Sequence, residues 1–260
     1  MSMRRIPKPV RHPSRQPVPK EPPPAAQPSA EIPPSKEIPP STAVQELATL
    51  VAQTGLELPG EALPPLERYL HALLAKNQLV NLTAIREPQL ARILHVLDSL
   101  QLWGCHSAPS LALDIGSGNG FPGVAAAALW PSARVLLLDR TQKKVRAISE
   151  CLKEAGISNA EALAADAQQL PALRPELCGE ADLITLRAVG PLAGCLRLAE
   201  PFLAKDGVIV LFKASELSRE EARAGDKMRK QLRLRQAAEH SYLLPGDQER
   251  VRKLLCYRRV

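Results

Sequence analysis

Residues 111–123 read L-A-L-D-I-G-S-G-N-G-F-P-G, a short apolar run that passes directly into a glycine loop and then into a helical stretch. Gly116, Gly118 and Gly120 permit positive φ and let backbone N–H groups approach a ligand with no side chain between. A glycine loop alone says little. Here the strand before it, the helix after it and an acid closing the next apolar run, Asp139 in V-L-L-L-D, make the pattern specific. A carboxylate about 20 residues beyond such a loop is placed to accept the hydroxyls of an adenosine ribose. The ligand is expected beyond the carboxyl end of this first strand, where the order of the sheet reverses.

Dinucleotide enzymes share that outline, and Asp114 discriminates between the two. It lies two residues before the first glycine, where its negative charge would repel a pyrophosphate and stabilise a sulfonium or amino group. The spacing agrees: the glycines form G-x-G-x-G, whereas G-x-G-x-x-G would need a glycine where Phe121 stands. The expected cofactor is S-adenosylmethionine, with a purely structural glycine turn as the plainer alternative. Asp166, Ala167 and Gln168, after the third strand, are placed to meet an adenine. Arg187, ending the fourth strand, suits a carboxylate or an RNA phosphate because its planar fork matches both. Lys213, ending the fifth, approaches the same cleft.

Outward from the loop, apolar runs near 111–115, 134–139, 160–164, 182–187 and 207–213 alternate with helical stretches near 121–129, 141–155, 191–203 and 216–235. This alternation predicts parallel strands joined by right-handed crossovers, with both faces of the sheet covered. Two last runs, 241–244 and 251–257, are expected to close the sheet as a hairpin. Three helices precede the first strand: one from Ser41 or Thr42, one over 65–77, and one opening at Glu87-Pro88 that carries His95, Asp98 and Ser99. The fold class is therefore α/β, a Rossmann-like, mostly parallel doubly wound sheet with an N-terminal helical extension. Residues 1–41 read as a disordered, basic, proline-rich tail, 42–104 as the helical segment and 105–260 as the cofactor-binding domain.

Charge is unevenly spread. Residues 1–20 carry six Lys or Arg and no acid, and 227–260 carry ten against three acids, so the middle of a chain of net charge +7 is acidic. Basic ends suggest a polyanionic partner, a solvated charged surface being the plain alternative. The five cysteines, Cys105, Cys151, Cys178, Cys195 and Cys256, contain no C-x-x-C pair; they read as reduced, mostly buried thiols, and no metal site follows from their spacing. With no apolar run near the roughly 20 residues of a membrane span and no secretory signal, a cytoplasmic protein is expected. A monomer is favoured.

N-L-T-A-I-R at 81–86, H-V-L-D-S-L at 95–100, L-D-I-G-S-G-N-G-F-P-G at 113–123, L-L-D-R-T-Q-K-K-V at 137–145 and L-R-A at 186–188 occur in an order that resembles the bacterial 16S rRNA (guanine-N7) methyltransferase family known as RsmG, formerly glucose-inhibited division protein B. The resemblance covers roughly residues 44–257. It implies a class I S-adenosylmethionine-dependent methyltransferase acting on N7 of a guanine in the decoding-region loop of 16S rRNA, with that rRNA or a small-subunit precursor as partner. The family's cofactor positions fall on Gly116, Phe121, Ala167, Gln168 and Arg187, with Asp139 in the ribose role. The sequence departs from the family at Lys76 and Val80, where Trp and Tyr are usual, at D-A-Q-Q over 166–169, and at Lys213-Ala214. Guanine N7 offers a lone pair, so no general base is required. His95, Asp98 and Ser99 are candidates to order the cleft, and none is assigned as catalytic. A small-molecule methyltransferase, a nicotinamide oxidoreductase and an RNA-binding protein without activity stand as alternatives.

Overall fold

The structure, a computed structural model, describes residues 40–214 and 216–260. The tail assigned to 1–41 lies outside them, apart from the first residues of α1 (Pro40–Thr54). α2 (Leu63–Lys76) follows, and a helical run over 88–100 then passes from α3 (Pro88–Ala91) through a π-helical turn at Arg92–Leu97 to α4 (Asp98–Leu100). The run opens at Glu87-Pro88 as the sequence predicts, and Glu87 caps it, its carboxylate accepting from the backbone N–H groups of Gln89 and Leu90. The order then is β1 (Leu111–Ile115), α5 (Gly123–Leu129), β2 (Arg134–Asp139), α6 (Gln142–Ala155), β3 (Ala160–Ala164), α7 (Leu170–Leu173), β4 (Ala181–Arg187), α8 (Leu192–Ala199), β5 (Leu203–Lys213), α9 (Arg219–Gln231), β6 (Leu234–Leu244) and β7 (Asp247–Arg259).

The strands form one sheet in the order β3-β2-β1-β4-β5-β7-β6, parallel from β3 to β5, with β7 antiparallel to both its neighbours. β1 lies between β2 and β4, which puts the switch point of the sheet at the glycine loop. Side chains alternate between two cores. Leu113, Ile115, Leu136 and Ile184 face α8, while Ala112, Val135, Leu137 and Leu183 face α5 and α6. Because α8 and α9 lie on the first of these faces, α5 and α6 cover only the β1–β3 half of the second. Leu97, Leu100 and Leu102 pack in one core with Phe212, Leu254 and Cys256, so the N-terminal helices supply the missing cover over β5 and β7.

Helix α5 approaches the sheet closely because Gly123 has no side chain. A Cβ there would lie 2.0 Å from Cδ2 of Leu137 and 2.8 Å from Cβ of Asp114. Gly123→Ala is therefore expected to cost about 1–3 kcal/mol, the usual range for overpacking. An unchanged urea midpoint would show that the helix yields without cost.

Several predicted boundaries move. β6 begins at Leu234, not 241, because R-Q-A-A-E-H-S is an exposed edge strand without an apolar face to betray it. β7 likewise runs beyond 251–257, and α9 stops at Gln231, followed by Arg233 in the left-handed region at φ 53°. β5 starts at Leu203, whose pairing with Ala181 is followed by a register shift before Leu183 meets Val208. The third predicted helix holds a π-helical turn that no spacing rule foresees.

Candidate active site

The loop after β1 closes through Ser117 N–H to Leu138 O at 2.8 Å and Gly120 N–H to Ser117 O at 2.8 Å. Gly116, Gly118 and Gly120 all take positive φ, 72°, 58° and 93°. At Gly118 the direction of the absent side chain is open, the nearest atom being Gly116 O at 3.7 Å, whereas Val189 fills it at Gly116 and Tyr69 at Gly120, so the bare backbone of the loop is at Gly118. Asp139 borders it. Its Oδ2 accepts from Gly118 N at 3.0 Å and its Oδ1 from Thr141 N at 2.8 Å, which leaves each oxygen a free lone pair for a ligand hydroxyl. The next loop is tied alongside by Ala165 N–H to Asp139 O at 3.1 Å. There Asp166 accepts from Gln168 N at 2.9 Å, Asp166 and Ala167 are half-buried and Gln168 is exposed.

Asp114 is placed differently from the sequence reading. Only 1% exposed, it sits beneath the loop, where Oδ2 accepts from Gly123 N at 3.0 Å and Oδ1 from the Thr185 hydroxyl at 2.7 Å. Burial pushes its pKa up to about 6, against the pull of the Thr185 and Gly123 hydrogen bonds. Both oxygens are engaged by the protein, so its charge reaches the bare surface as a field and its bonds fix the loop on α5. Phe121 is buried too. Its ring lies edge-on to Tyr69 at 5.4 Å and stacked with His95 at 6.2 Å, so only its backbone is available to the site.

Arg187 joins the glycine loop to the helical extension. Its guanidinium donates to Phe121 O at 3.2 Å, Leu94 O at 3.2 Å, Asp98 Oδ2 at 3.1 Å and Ser99 Oγ at 3.2 Å. Asp98 is itself shared: Tyr242 donates its hydroxyl to Oδ1 at 2.7 Å and Arg252 approaches at 3.7 Å. Burial and the Asp98 carboxylate hold the Tyr242 hydroxyl well above its ordinary pKa, so it remains a donor. The π-helical turn serves this arrangement. The N–H of Asp98 reaches back to Ile93 O, the wide spacing that turns Asp98 and Ser99 toward β4. A cavity of about 200 Å³ opens beside them, beyond the carboxyl ends of β4 and β5, lined by Asp98, Arg187, Lys213, Tyr242 and Arg252. Ala188, next to Arg187, adopts φ 57°, a conformation that costs a non-glycine residue energy and clusters at functional sites. Lys213 lines this cavity, and its ammonium is bound to Glu221 at 2.8 Å and to Gly190 O at 3.3 Å.

His95 is 7% exposed and its Nε2 lies 2.9 Å from the Thr83 hydroxyl. Burial first and Arg187 second push its pKa down to about 4, which keeps the ring neutral at pH 7. Its partner belongs to the N-L-T stretch, which Asn77 folds by accepting from Leu82 N and Thr83 N at 2.8 and 2.9 Å and donating to Thr83 O at 2.9 Å. Spacing does not reveal Tyr69, Tyr242 or Arg252 as part of this region. Tyr69 reads as a core residue, and its hydroxyl nonetheless donates to Asn119 O inside the glycine loop at 3.0 Å. Ser117, buried in the loop, has a hydroxyl without a partner among the described residues. Its position between Gly116 and Gly118 was the available signal.

A family model described as GidB, rRNA small subunit methyltransferase G, matches residues 62–243. The Ribosomal RNA small subunit methyltransferase G of Sorangium cellulosum is 37% identical over 186 residues, 70% of this chain and 77% of that protein. The protein of the same name from Methylobacillus flagellatus is 34% identical over 203 residues, 78% of this chain and 92% of that protein. Among solved structures, cofactor-bound Rv0187 from MTB is 19% identical with a TM-score of 0.50 and covers 72% of this chain and 88% of that one, a likeness of fold.

Proposed function

Since the chain belongs to the GidB family, rRNA small subunit methyltransferase G, we propose that it transfers a methyl group from S-adenosylmethionine to N7 of a guanine in the decoding-region loop of 16S rRNA. The nicotinamide and small-molecule alternatives give way to that membership. S-adenosylmethionine, when bound, supplies an electrophilic methyl group on a positively charged sulfur. In this reading Asp139 accepts the ribose hydroxyls, Asp166, Ala167 and Gln168 border the adenine, and Gly116 and Gly118 present backbone to the methionyl part. Ionised Asp114 favours the cation from beneath the loop. The observation that carries the reading is the Asp139 carboxylate locked to Gly118 N, which holds an acceptor and a bare backbone surface in one fixed geometry.

A neutral, hydrogen-bonded His95 and a fully engaged Asp98 leave no free base beside Arg187 among the described residues. Guanine N7 needs none, because its lone pair attacks without prior loss of a proton. The chain's contribution is then alignment and exclusion of water, which can supply several kcal/mol. Small-subunit rRNA, free or in a subunit precursor, is the proposed partner, and the cation-rich stretch 227–260 supports it through phosphate neutralisation. No helix among the described residues is long and apolar enough to cross a membrane, and we place the reaction in the cytoplasm.

Asp139→Ala removes one or two charge-assisted hydrogen bonds and is expected to weaken S-adenosylmethionine binding roughly 10- to 100-fold in calorimetry. The same cofactor, methyl-labelled, should enter 16S rRNA from an unmethylated strain. Affinity unaltered by the substitution would remove Asp139 from the site, and label appearing in a metabolite and not in RNA would overturn the substrate.

A further inference from the structure

Three soft donors far apart in the chain meet where the helical extension lies on the β6–β7 hairpin. Cys105 follows the 3₁₀ turn Gln101–Gly104 that ends the extension, Cys256 lies on β7, and His240 lies on β6. His240 pairs with Leu254, two residues from Cys256, so His240 and Cys256 point to the same face of the hairpin, the face toward Cys105. One ligand atom from each lies within 4.8 Å of the other two. The sulfurs of Cys105 and Cys256 are 3.8 Å apart. A tetrahedral ion binding two thiolates at about 2.3 Å holds its sulfurs about 3.8 Å apart, so the pair already has the spacing of a metal-site edge. A disulfide would need the sulfurs at about 2.05 Å and would make no use of the imidazole. The other contact of Cys105 Sγ is weak, Gln101 O at 3.9 Å. Cys105 is half-buried, Cys256 buried and His240 exposed, which gives a dry sulfur pair with an entry path on the imidazole side.

We propose that Cys105, His240 and Cys256 form a binding site for a thiophilic divalent cation of the Zn²⁺ class, with water in the fourth position. Binding forms two metal–sulfur bonds and one metal–nitrogen bond. Each thiol proton leaves to solvent as its sulfur bonds, and the imidazole enters neutral. The ion would staple the end of the helical extension to the hairpin. Two residues from His240 on β6, Tyr242 holds Asp98, so the staple braces the back of the Arg187 cavity and stands apart from the glycine loop.

The test uses the full chain, reduced and metal-free, titrated with Co²⁺ and then Zn²⁺. The expected result is one equivalent of Co²⁺ with thiolate-to-metal charge-transfer absorption and tetrahedral d–d bands, displaced by Zn²⁺. His240→Ala, at an exposed position that the fold does not need, and Cys105→Ser are each expected to weaken Zn²⁺ binding roughly 10-fold or more. Thermal melting of the metal-free variants confirms that they fold, and Zn²⁺ should raise the midpoint of the parent protein more than theirs. Absence of charge-transfer absorption, Zn²⁺ affinity unchanged in both variants, or a Cys105–Cys256 disulfide that forms equally well in His240→Ala with no Co²⁺ spectrum would each overturn the site.

Discussion

Asp98→Ala is expected to cost about 3–5 kcal/mol of folding stability, the range for removing one partner from a buried ion pair. The carboxylate is 3% exposed and serves Arg187, Tyr242 and Arg252 together. Without it, the half-buried Arg187 and buried Arg252 guanidinium groups face each other across the gap and the Tyr242 hydroxyl loses its acceptor. Arg252 keeps Asp247 at 2.9 Å, and Arg187 keeps Leu94, Ser99 and Phe121, so the loss stays within that range. Asp98→Asn retains the shape and an acceptor oxygen and should lose less. Because Arg187 also grips Phe121 O in the glycine loop, Asp98 acts as a positioning residue, and its loss should weaken cofactor binding as well as the fold. Urea unfolding with far-UV detection gives the stability change, and a loss below about 1 kcal/mol would mean that the cluster is an inessential surface network.

The second large effect concerns pH. Asp114 is completely buried and its pKa is raised from the ordinary 3.8 to about 6. A carboxyl whose folded pKa exceeds its unfolded one binds its proton more tightly in the folded state. Its contribution to stability is thus fully present below about pH 3.8 and lost as pH rises through about 6, a fall on the order of 3 kcal/mol for one such group. Surface acids with lowered pKa, such as Glu221 paired with Lys213, have the opposite slope at lower pH, so the informative quantity is a difference. The stability of the parent protein minus that of Asp114→Asn should decline between about pH 4 and 6 and level off above. The amide keeps the shape and can still accept from Gly123 N. Parallel pH curves for the two proteins would mean that Asp114 ionises no less readily folded than unfolded. Since the ionised form complements a sulfonium, cofactor affinity of the parent should rise over the same window and that of Asp114→Asn should stay flat.

The parallel part of the sheet was legible chiefly because β1, β2, β4 and β5 are buried on both faces, the edge strand β3 being half-exposed. L-A-L-D-I and R-V-L-L-L-D bound β1 and β2 to the residue, since a continuous apolar run between turn signals has one reading in an alternating α/β pattern. The glycine loop and Asp139 were legible for a related reason: the chemistry fixes both residue type and distance along the chain. What stayed hidden depends on contacts across long separations. Asp114 reads as a ligand group until Thr185, 71 residues on, is seen to take one of its oxygens. Lys213 reads as a residue approaching the cleft until α9 brings Glu221 to its ammonium. The π-helical turn at Arg92–Leu97 has the same apolar spacing as an ordinary helix, and its reason lies in Arg187, 89 residues beyond Asp98. Cys105, His240 and Cys256 carry no spacing signature at all.

The place of β7 has a consequence for how this chain is built. β6 is synthesised first, yet β7 is the strand that adds to β5, and β6 reaches the sheet only through β7. A nascent chain that ends between the two therefore carries a finished parallel sheet with an open edge at β5, next to a segment able to pair there in the wrong place. The polar and small residues of β6 from Arg235 to Ser241 discourage that shortcut, because they gain little from the apolar surroundings in which Leu254 and Cys256 settle. The composition that hid β6 from the sequence reading thus also keeps it waiting for its proper neighbour.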